Sequence, residues 1–508
     1  MKRFLPALAV SIAAFIIYSY AAWHHPIGSY GTETDFYHLY GPDALRLRAG
    51  HFPENPYQGP GFPALVAVIA KFTGDVFVAG KWISVVAAAG TLIAVYLLFR
   101  DLFASGSWGV WLGIGAAALV AVSPEFPQFA ISATTDSFFL LITVAFLLIF
   151  TRDSLSVRYR IVLCGALGGL AWITRYNGAF LMMSAVIAIV LLDYFNLSWR
   201  DRVVSTLILI AAFCVTASPW LYANYVNRGS PFYNANHLNM ATEFYPELVE
   251  GRTNQDATRP LENVFRSFGD VIRYDPGRVA KHYPVNVWQS IRQSAYSTLM
   301  SPWVAWTALA GIVIALRQAR SKKLLFVLIS ALLYVLIIGL THWETRYYFF
   351  LMVVCAGFAA YTVIAALASG FKAIQAAALV LFAIMWLSSF GMARKDLTGF
   401  LKSQPLEVLA ARDFLKQHGV TTGRVVARKP HLPFVAGLEW IFFPPVKSVD
   451  ELGKWLKTNP ADYVVISSIE TRRRKELASL KEPDKAPAWL RLEWKNDDPL
   501  FILYRITE

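Results

Sequence analysis

A chain of 508 residues that is 56% hydrophobic and only 16% charged is excluded from the ordinary soluble class, because it could not clothe its surface in enough polar groups to stay in solution. The formal charge of +13 raises nucleic acid as a partner. However, the basic residues fall in short loops between apolar runs and in a terminal segment, so membrane topology and anionic lipid are the simpler account.

Apolar runs of about 17–25 residues, the length that crosses a hydrocarbon core, recur along the chain and define a polytopic membrane protein. Lys2 and Arg3 precede the first run, and no small-residue cleavage site follows it, so 4–22 reads as a retained span. Further spans are expected at 76–99, 108–123, 134–151, 159–174, 177–195, 203–222, 301–317, 323–341, 347–367 and 371–391, about eleven in all. Cys164, Cys214 and Cys355 fall inside these runs, far apart, and read as small core residues.

With the N-terminus in the cytoplasm, one side receives Arg100, the group Arg152, Arg158 and Arg160, the pair Arg200 and Arg202, the cluster Arg317, Arg320, Lys322 and Lys323, and Lys372. That is the bias the positive-inside rule requires. The run GFPALVAVIAKF at 61–72 is too short to cross and carries prolines at its start, so it suits a re-entrant or interfacial helix. Counting it as a span would invert everything after it.

The loop 23–75, the short loop around Asp136, the long loop 223–300 and everything after about residue 392 then lie on the outer side. In the first loop, Phe36, Tyr37, Tyr40, Ala44 and Leu47 recur at helical spacing, while Asp35, His38, Asp43 and Arg46 fall elsewhere around the turn. This predicts an amphipathic helix lying in the interface, capped by Thr34, with Asp35 in a first turn where the helix dipole favours a carboxylate. The loop 223–300 has no readable pattern.

The segment 395–508 has mixed charge and ordinary globular patterning. LEVLAARDFLKQHG reads as a helix ending at Gly419, RVVAR as a strand, VDELGKWLKTN as a helix, DYVVISS as a buried strand, and LRLEWKN with LFILYRI as a terminal strand pair. The fold class is therefore an α-helical polytopic membrane protein, residues 1–393, carrying a C-terminal α/β domain, residues 394–508, outside the cytoplasm. That domain shows no phosphate loop and no metal-ligand spacing, so its expected role is support or acceptor docking.

Several residues oppose the topology rule. Arg175 in ITRYNGAF and Arg346 in THWETRYYFF are basic groups in short outer loops beside aromatics. A snorkelling anchor is the plain alternative for each. Taken together with the outer acids, they suit a phosphate presented by a lipid. Asp136 begins an apolar helix, where an ionisable group is either functional or a helix-dipole acid. Glu344 lies two residues before Arg346 and could pair with it. Glu33 could be a solvated loop acid or a partner to Asp35. His24, His25, His38 and His51 lack metal-site spacing.

An acid soon after the first span, the stretch NPYQGPGFPALVAVIAKFTG, then GLAWITRYNGAF, SPWLYANYVNRGSPFY and an outer ETRYY together resemble the GT-C glycosyltransferases. The resemblance is closest to the branch of protein O-mannosyltransferases and lipid A aminoarabinose transferases, and it covers nearly the whole chain in order. It implies transfer of a sugar from a polyprenyl-phosphate donor to a glycan, lipid or protein acceptor at the outer face of the inner (plasma) membrane. It also implies that Asp35 is the catalytic acid of the first loop, and that Arg346 and Arg175 stand near the donor phosphate, with Tyr347 and His342 beside them. Many relatives carry two adjacent acids in that loop. Here Phe36 follows Asp35, which leaves a partner role to Glu33, Asp136 or neither.

A phosphate leaving group needs negative charge stabilised, which arginines supply, while the acceptor hydroxyl or amine needs a base, which one carboxylate supplies. No cofactor is required for this, and a divalent cation is left open. The alternative class is a transporter or flippase of a lipid-linked glycan. Against it, the spans show no internal repeat and the acids cluster at one face and not at the midplane. A purely structural membrane scaffold would leave those outer acids and arginines unexplained.

Overall fold

The structure, a computed structural model, describes residues 5–103, 107–249, 261–296, 299–318 and 321–507. Lys2, Arg3 and Arg320 of the expected topology signals lie outside the described residues. The chain divides into two compact units, one holding residues up to His24 together with Asp43–Leu401, the other His25–Pro42 together with the segment from Lys402 onward.

The first unit is helical: α1 (Leu5–Trp23), α2 (Gly41–Arg48), α3 (Gly61–Thr73), α4 (Val76–Phe103), α5 (Ser107–Ala121), α6 (Phe126–Ile131), α7 (Asp136–Thr151), α8 (Val157–Thr174), α9 (Ala179–Val190), α10 (Trp199–Arg228), α11 (Asn236–Phe244), α12 (Phe268–Tyr274), α13 (Pro276–Tyr296), α14 (Pro302–Gln318), α15 (Lys322–Ile338), α16 (Phe349–Leu367) and α17 (Lys372–Lys402). Every expected span coincides with one of these helices. Among the described residues, six helical runs are long and apolar enough to cross a membrane: Leu5–Trp23, Val76–Phe103, Val157–Thr174, Trp199–Arg228, Thr345–Leu367 and Lys372–Gln417. α10 and α17 leave side chains such as Leu207, Val215, Leu379 and Leu387 exposed, an apolar flank suited to hydrocarbon. The 13 residues of α3 reach only about 20 Å, against a core of about 30 Å.

Small residues set how closely these helices approach. Gly165 and Gly169, one turn apart on α8, face α10 so tightly that a Cβ would stand 2.4 Å from the Leu209 carbonyl oxygen and 2.8 Å from that of Phe213. In lipid, where apolar burial drives little association, this backbone contact is what holds helix pairs. Charged groups gather at one end of the bundle. There Lys323 pairs with Asp153, Arg202 with Asp193 at 2.8 Å, and Lys322 donates to Asn196 at 2.7 Å. Asp136 begins α7, so it stands at the opposite end of that helix from Asp153.

The second unit has α18 (Leu406–Gln417), α19 (His431–Ala436), α20 (Val449–Thr458) and α21 (Ser468–Arg473) around β1 (Arg424–Ala427), β2 (Glu439–Phe442), β3 (Tyr463–Ser467), β4 (Leu490–Asp497) and β5 (Leu500–Ile506). The sheet order is β2-β1-β3-β5-β4. β1 is parallel to both neighbours, and the β4–β5 hairpin adds antiparallel to β3, with Val464 opposite Tyr504. Val426, Leu452, Val464, Ile466, Leu480 and Ile502 form its core. Each segment read from sequence as helix or strand is found, and Gly419 takes the left-handed φ of 72° that ends α18. The division falls at 401/402, where the sequence placed it at 393/394, because α17 continues past its apolar part to Lys402.

Residues 25–42 depart further from expectation. The sequence assigns them to a membrane-surface loop, but they fold with the C-terminal segment. Phe36 and Tyr37 are buried against Phe434, at ring-centroid distances of 6.1 and 5.3 Å. Helical spacing identifies an apolar face but not what covers it, and here the cover is protein, not lipid.

Candidate active site

Two constellations hold the residues singled out from sequence. The first surrounds Asp35, in the second unit. The backbone there does not form the simple capped α-helix expected. Phe36–Tyr40 is a π-helical turn with Asp35 at its head, a rare geometry that is found often at functional sites. The Thr34 hydroxyl donates to the Tyr30 carbonyl at 2.6 Å and accepts from Lys429 Nζ at 2.8 Å, and the same ammonium donates to the Tyr30 carbonyl at 2.6 Å. Thr34 is therefore a strut to the C-terminal segment and not a cap.

Glu33 is fully buried. His25 Nε2 donates to its Oε2 at 2.7 Å and the Ser29 amide donates to the same oxygen at 2.9 Å. This carboxylate ties the loop 25–33 together, and the reading of it as a solvated acid is corrected. Asp35 is half-buried. It faces His38, whose imidazole burial pushes below its ordinary value while the Asp35 carboxylate pulls the other way. The His38 ring meets Trp440 at 4.8 Å. The C-terminal segment, expected to give only support or docking, thus carries Lys429, His431, Phe434 and Trp440 to the turn that bears Asp35.

The second constellation lies in the first unit, where α8 ends. Arg175 leaves the helix in extended conformation, φ −149°, and the turn Tyr176–Gly178 follows. The Arg175 guanidinium pairs with Asp136 at the head of α7 and also donates to the Thr135 hydroxyl at 3.4 Å. Asp136 is buried, so the pair is nearly desolvated. From the other side, the turn Thr345–Tyr348 delivers Tyr347 and Arg346. Arg175 lies 5.0 Å and Arg346 5.3 Å from the centre of the Tyr347 ring, so one phenol contacts both guanidinium groups, an arrangement favoured by the ring quadrupole. Arg346 Nε donates to Glu344 at 2.6 Å, and His342 Nε2 lies 3.2 Å from the same carboxylate. Burial pushes the Glu344 carboxyl up, but the His342 hydrogen bond and the Arg346 charge outweigh it and hold it at about 2.

Of these residues Arg175, His342 and Tyr347 border a cavity of about 170 Å³, with Asn177, Tyr57, Gln58, Asn234, Asn236, Asn239 and Phe268 among the others that line it. The strap 54–61 brings Gln58 there. Asp43 accepts from the Glu54 amide at 2.9 Å, the Ala235 amide donates to the Pro56 carbonyl at 3.0 Å, and Asn236 Nδ2 donates to the Tyr57 carbonyl at 2.7 Å. Gly59 and Gly61 then lie flat on the end of α8. A Cβ at Gly59 would stand 2.3 Å from the Ile173 carbonyl oxygen, and one at Gly61 would stand 2.5 Å from Thr174 Oγ1. The GPG of this strap is there for close approach beside Arg175.

Sequence reasoning missed the carboxamides. Asn234, Asn236 and Asn239 come from α11 and its approach, inside the loop 223–300, whose described residues are largely helical around a small core of Leu238, Ala241, Phe244, Phe265 and Val271. Three asparagines within NANHLNM were the available signal. Among the described residues no three His, Cys, Asp or Glu side chains converge as a metal site would need.

The fold is similar to that of solved structures of the GT-C class. It matches the oligosaccharyltransferase AglB from Archaeoglobus fulgidus, solved with an inhibitory peptide and a dolichol-phosphate, with a TM-score of 0.61 and 14% identity, covering 99% of this chain and 74% of that one. It also matches ArnT from Cupriavidus metallidurans bound to undecaprenyl phosphate, with a TM-score of 0.57 and 12% identity, covering 98% of this chain and 97% of that one. Residues 56–222 match the family model of dolichyl-phosphate-mannose-protein mannosyltransferase, a stretch that includes Gln58, Asp136, Arg175 and Asn177. No curated protein matches the chain by sequence.

Proposed function

We propose that the protein is an integral membrane glycosyltransferase that moves a sugar from a polyprenyl-phosphate donor to a glycan, lipid or protein acceptor. The observation that carries this reading is the pair Arg175 and Arg346 on one tyrosine ring, beside a cavity large enough for a single sugar. The match to proteins solved with dolichol-phosphate and undecaprenyl phosphate supports the donor class.

In the reaction, Asp35 takes the proton from the acceptor hydroxyl or amine. The acceptor atom bonds to the anomeric carbon as the bond from that carbon to the phosphate oxygen breaks. The polyprenyl phosphate leaves with the electron pair, its growing charge met by Arg175 and Arg346. Base and leaving group act on opposite faces of the sugar carbon, so the configuration inverts. Asp136 and Glu344 hold the two arginines in place. The basic loops gathered at the far end from Asp136 support a cytoplasmic assignment for that end and an outer one for the site, in the inner (plasma) membrane.

The test is purified protein with a panel of polyprenyl-phosphate sugars, measuring released polyprenyl phosphate. Turnover that disappears in Asp35→Asn supports the reading. Absence of release from every donor and acceptor pair, with the lipids shown to bind, would leave a carrier of lipid-linked sugars as the better account.

A further inference from the structure

The cavity beside Arg175 has a lining that a phosphate site alone does not need. Gln58, Asn177, Asn234, Asn236 and Asn239 all border it. Three of them form a relay in which Asn239 Nδ2 donates to Asn236 Oδ1 at 2.9 Å and Asn236 Nδ2 donates to Asn234 Oδ1 at 2.7 Å. Two more, Gln58 Oε1 and Asn177 Oδ1, are buried acceptors with no donor among the described residues, and a buried acceptor left unmet is destabilising, so a ligand donor there is favoured. A carboxamide offers both donor and acceptor on one rigid plane, which is what a hydroxyl, itself donor and acceptor, requires. The space is of sugar size: a cavity of about 150 Å³ in another protein accepts a benzene ring, and this one has about 170 Å³.

The charge of the lining narrows the sugar. Among the described residues Arg175 borders the cavity and no carboxylate does, so an ammonium group on the sugar would lose its water with no described anion to meet it. A sugar carboxylate would confront the bare acceptor oxygens of Gln58 and Asn177. Hydroxyls satisfy both the open acceptors and the amide donors without bringing a charge into the cavity.

We infer that this cavity is the sugar subsite of the donor and that it takes a neutral, hydroxyl-bearing monosaccharide, not an amino sugar or a uronic acid. The inference rests on the glycosyltransferase reading above. α11 with the residues leading into it and the strap 54–61 are then the specificity elements, because they supply four of the five carboxamides.

Affinities measured on the full-length protein in lipid nanodiscs separate the two claims. The probes are undecaprenyl phosphate alone and the same lipid carrying a glucosyl, mannosyl, galactosyl, 4-amino-pentosyl or glucuronosyl group. At least one neutral glycosyl lipid is expected to bind about tenfold more tightly than the bare lipid phosphate, and both charged forms no more tightly than it. In Asn177→Ala and Gln58→Ala that gain should shrink about three- to tenfold, the worth of one neutral hydrogen bond, while affinity for bare undecaprenyl phosphate stays within twofold. If a charged sugar binds best, or if no sugar adds affinity to a bare lipid that does bind, the inference fails and the donor-phosphate reading survives. If not even the bare lipid binds, both fall. The wild-type ligand series needs no variant to fold, so the outcome is decided even if one substitution is destabilising.

Discussion

Asp136 and Arg175, 39 residues apart in sequence, form an ion pair between the head of α7 and the tail of α8. The side chains are 1% and 11% exposed, which makes this a desolvated pair and not a surface one. Breaking such a pair from one side strands a charge and costs about 3–5 kcal/mol, whereas removing both partners costs much less. Asp136→Ala should therefore lower the melting temperature and raise the donor KM, because Arg175 loses its orientation. The double variant Asp136→Ala/Arg175→Met should regain much of the stability but none of the donor affinity. If Asp136 were instead the proton acceptor, its loss would depress kcat by a hundredfold or more at unchanged donor KM.

The two arginines on Tyr347 predict a graded response. A charge-assisted contact to phosphate is worth about 1.5–3 kcal/mol, while an exposed anchor is worth well under 1. Arg346→Ala should weaken undecaprenyl phosphate binding by about ten- to a hundredfold. Arg346→Lys should fall between that and wild type, keeping the charge but losing the planar fork that stacks on Tyr347. Unchanged affinity in both Arg346→Ala and Arg175→Ala would make these residues membrane anchors and place the phosphate elsewhere.

Asp35→Asn keeps the shape of the side chain and removes its ability to take a proton. Since general-base catalysis contributes about 10²–10⁴-fold, kcat should fall by that factor with donor affinity retained. Turnover within threefold of wild type would remove Asp35 from the mechanism.

How far the sequence could reach is visible in these residues. Helix positions were legible because a long apolar run must satisfy its backbone hydrogen bonds internally, a demand that no local detail overrides. Arg175 and Arg346 were legible because each is a charge where the topology rule disfavours one. Their convergence on Tyr347 was not, since about 170 residues separate them in the chain. The fate of Phe36 and Tyr37 was illegible for a similar reason: an apolar face states that it will be covered, and Phe434 as the cover comes from the other end of the sequence. Glu33 could not be separated from a catalytic acid because its partner, His25, is a common loop residue with no motif around it. Asn234, Asn236 and Asn239 gave only the weak signal of their clustering, because asparagine before a helix ordinarily means a turn.

Lys429 offers a test of how the Asp35 turn is held. Its ammonium donates to Tyr30 and Thr34, the residues just ahead of Asp35. It lies in the connection after β1, outside the sheet. Lys429→Met keeps the aliphatic stem and deletes both bonds. Amide exchange at 30–40 should accelerate and kcat should drop by about tenfold, with donor affinity and the exchange of β1, β3 and β5 unchanged. Normal exchange at 30–40 in the variant would mean that the aromatic packing alone fixes the turn.

His431 makes the same region sensitive to acid. It is fully buried, its ring lies 4.3 Å from Tyr37, and Nε2 donates to the Ser29 carbonyl at 3.3 Å. Burial, helped by the neighbouring Lys429 charge, pulls its pKa from 6.5 down to about 3. Between those values the unfolded segment binds a proton that the folded one does not, so stability from this group rises with pH across the window. It is complete above about pH 7 and declines on acidification, by up to about 1.4 kcal/mol per pH unit. Amide exchange of residues 28–40, compared at pH 7.5, 6 and 5 after correction for intrinsic rates, should show progressively easier opening. His431→Gln should be less stable at pH 7.5 but should lose this contribution to the slope. A slope that is the same with and without His431 would show that another group, or none in this segment, carries the acid sensitivity.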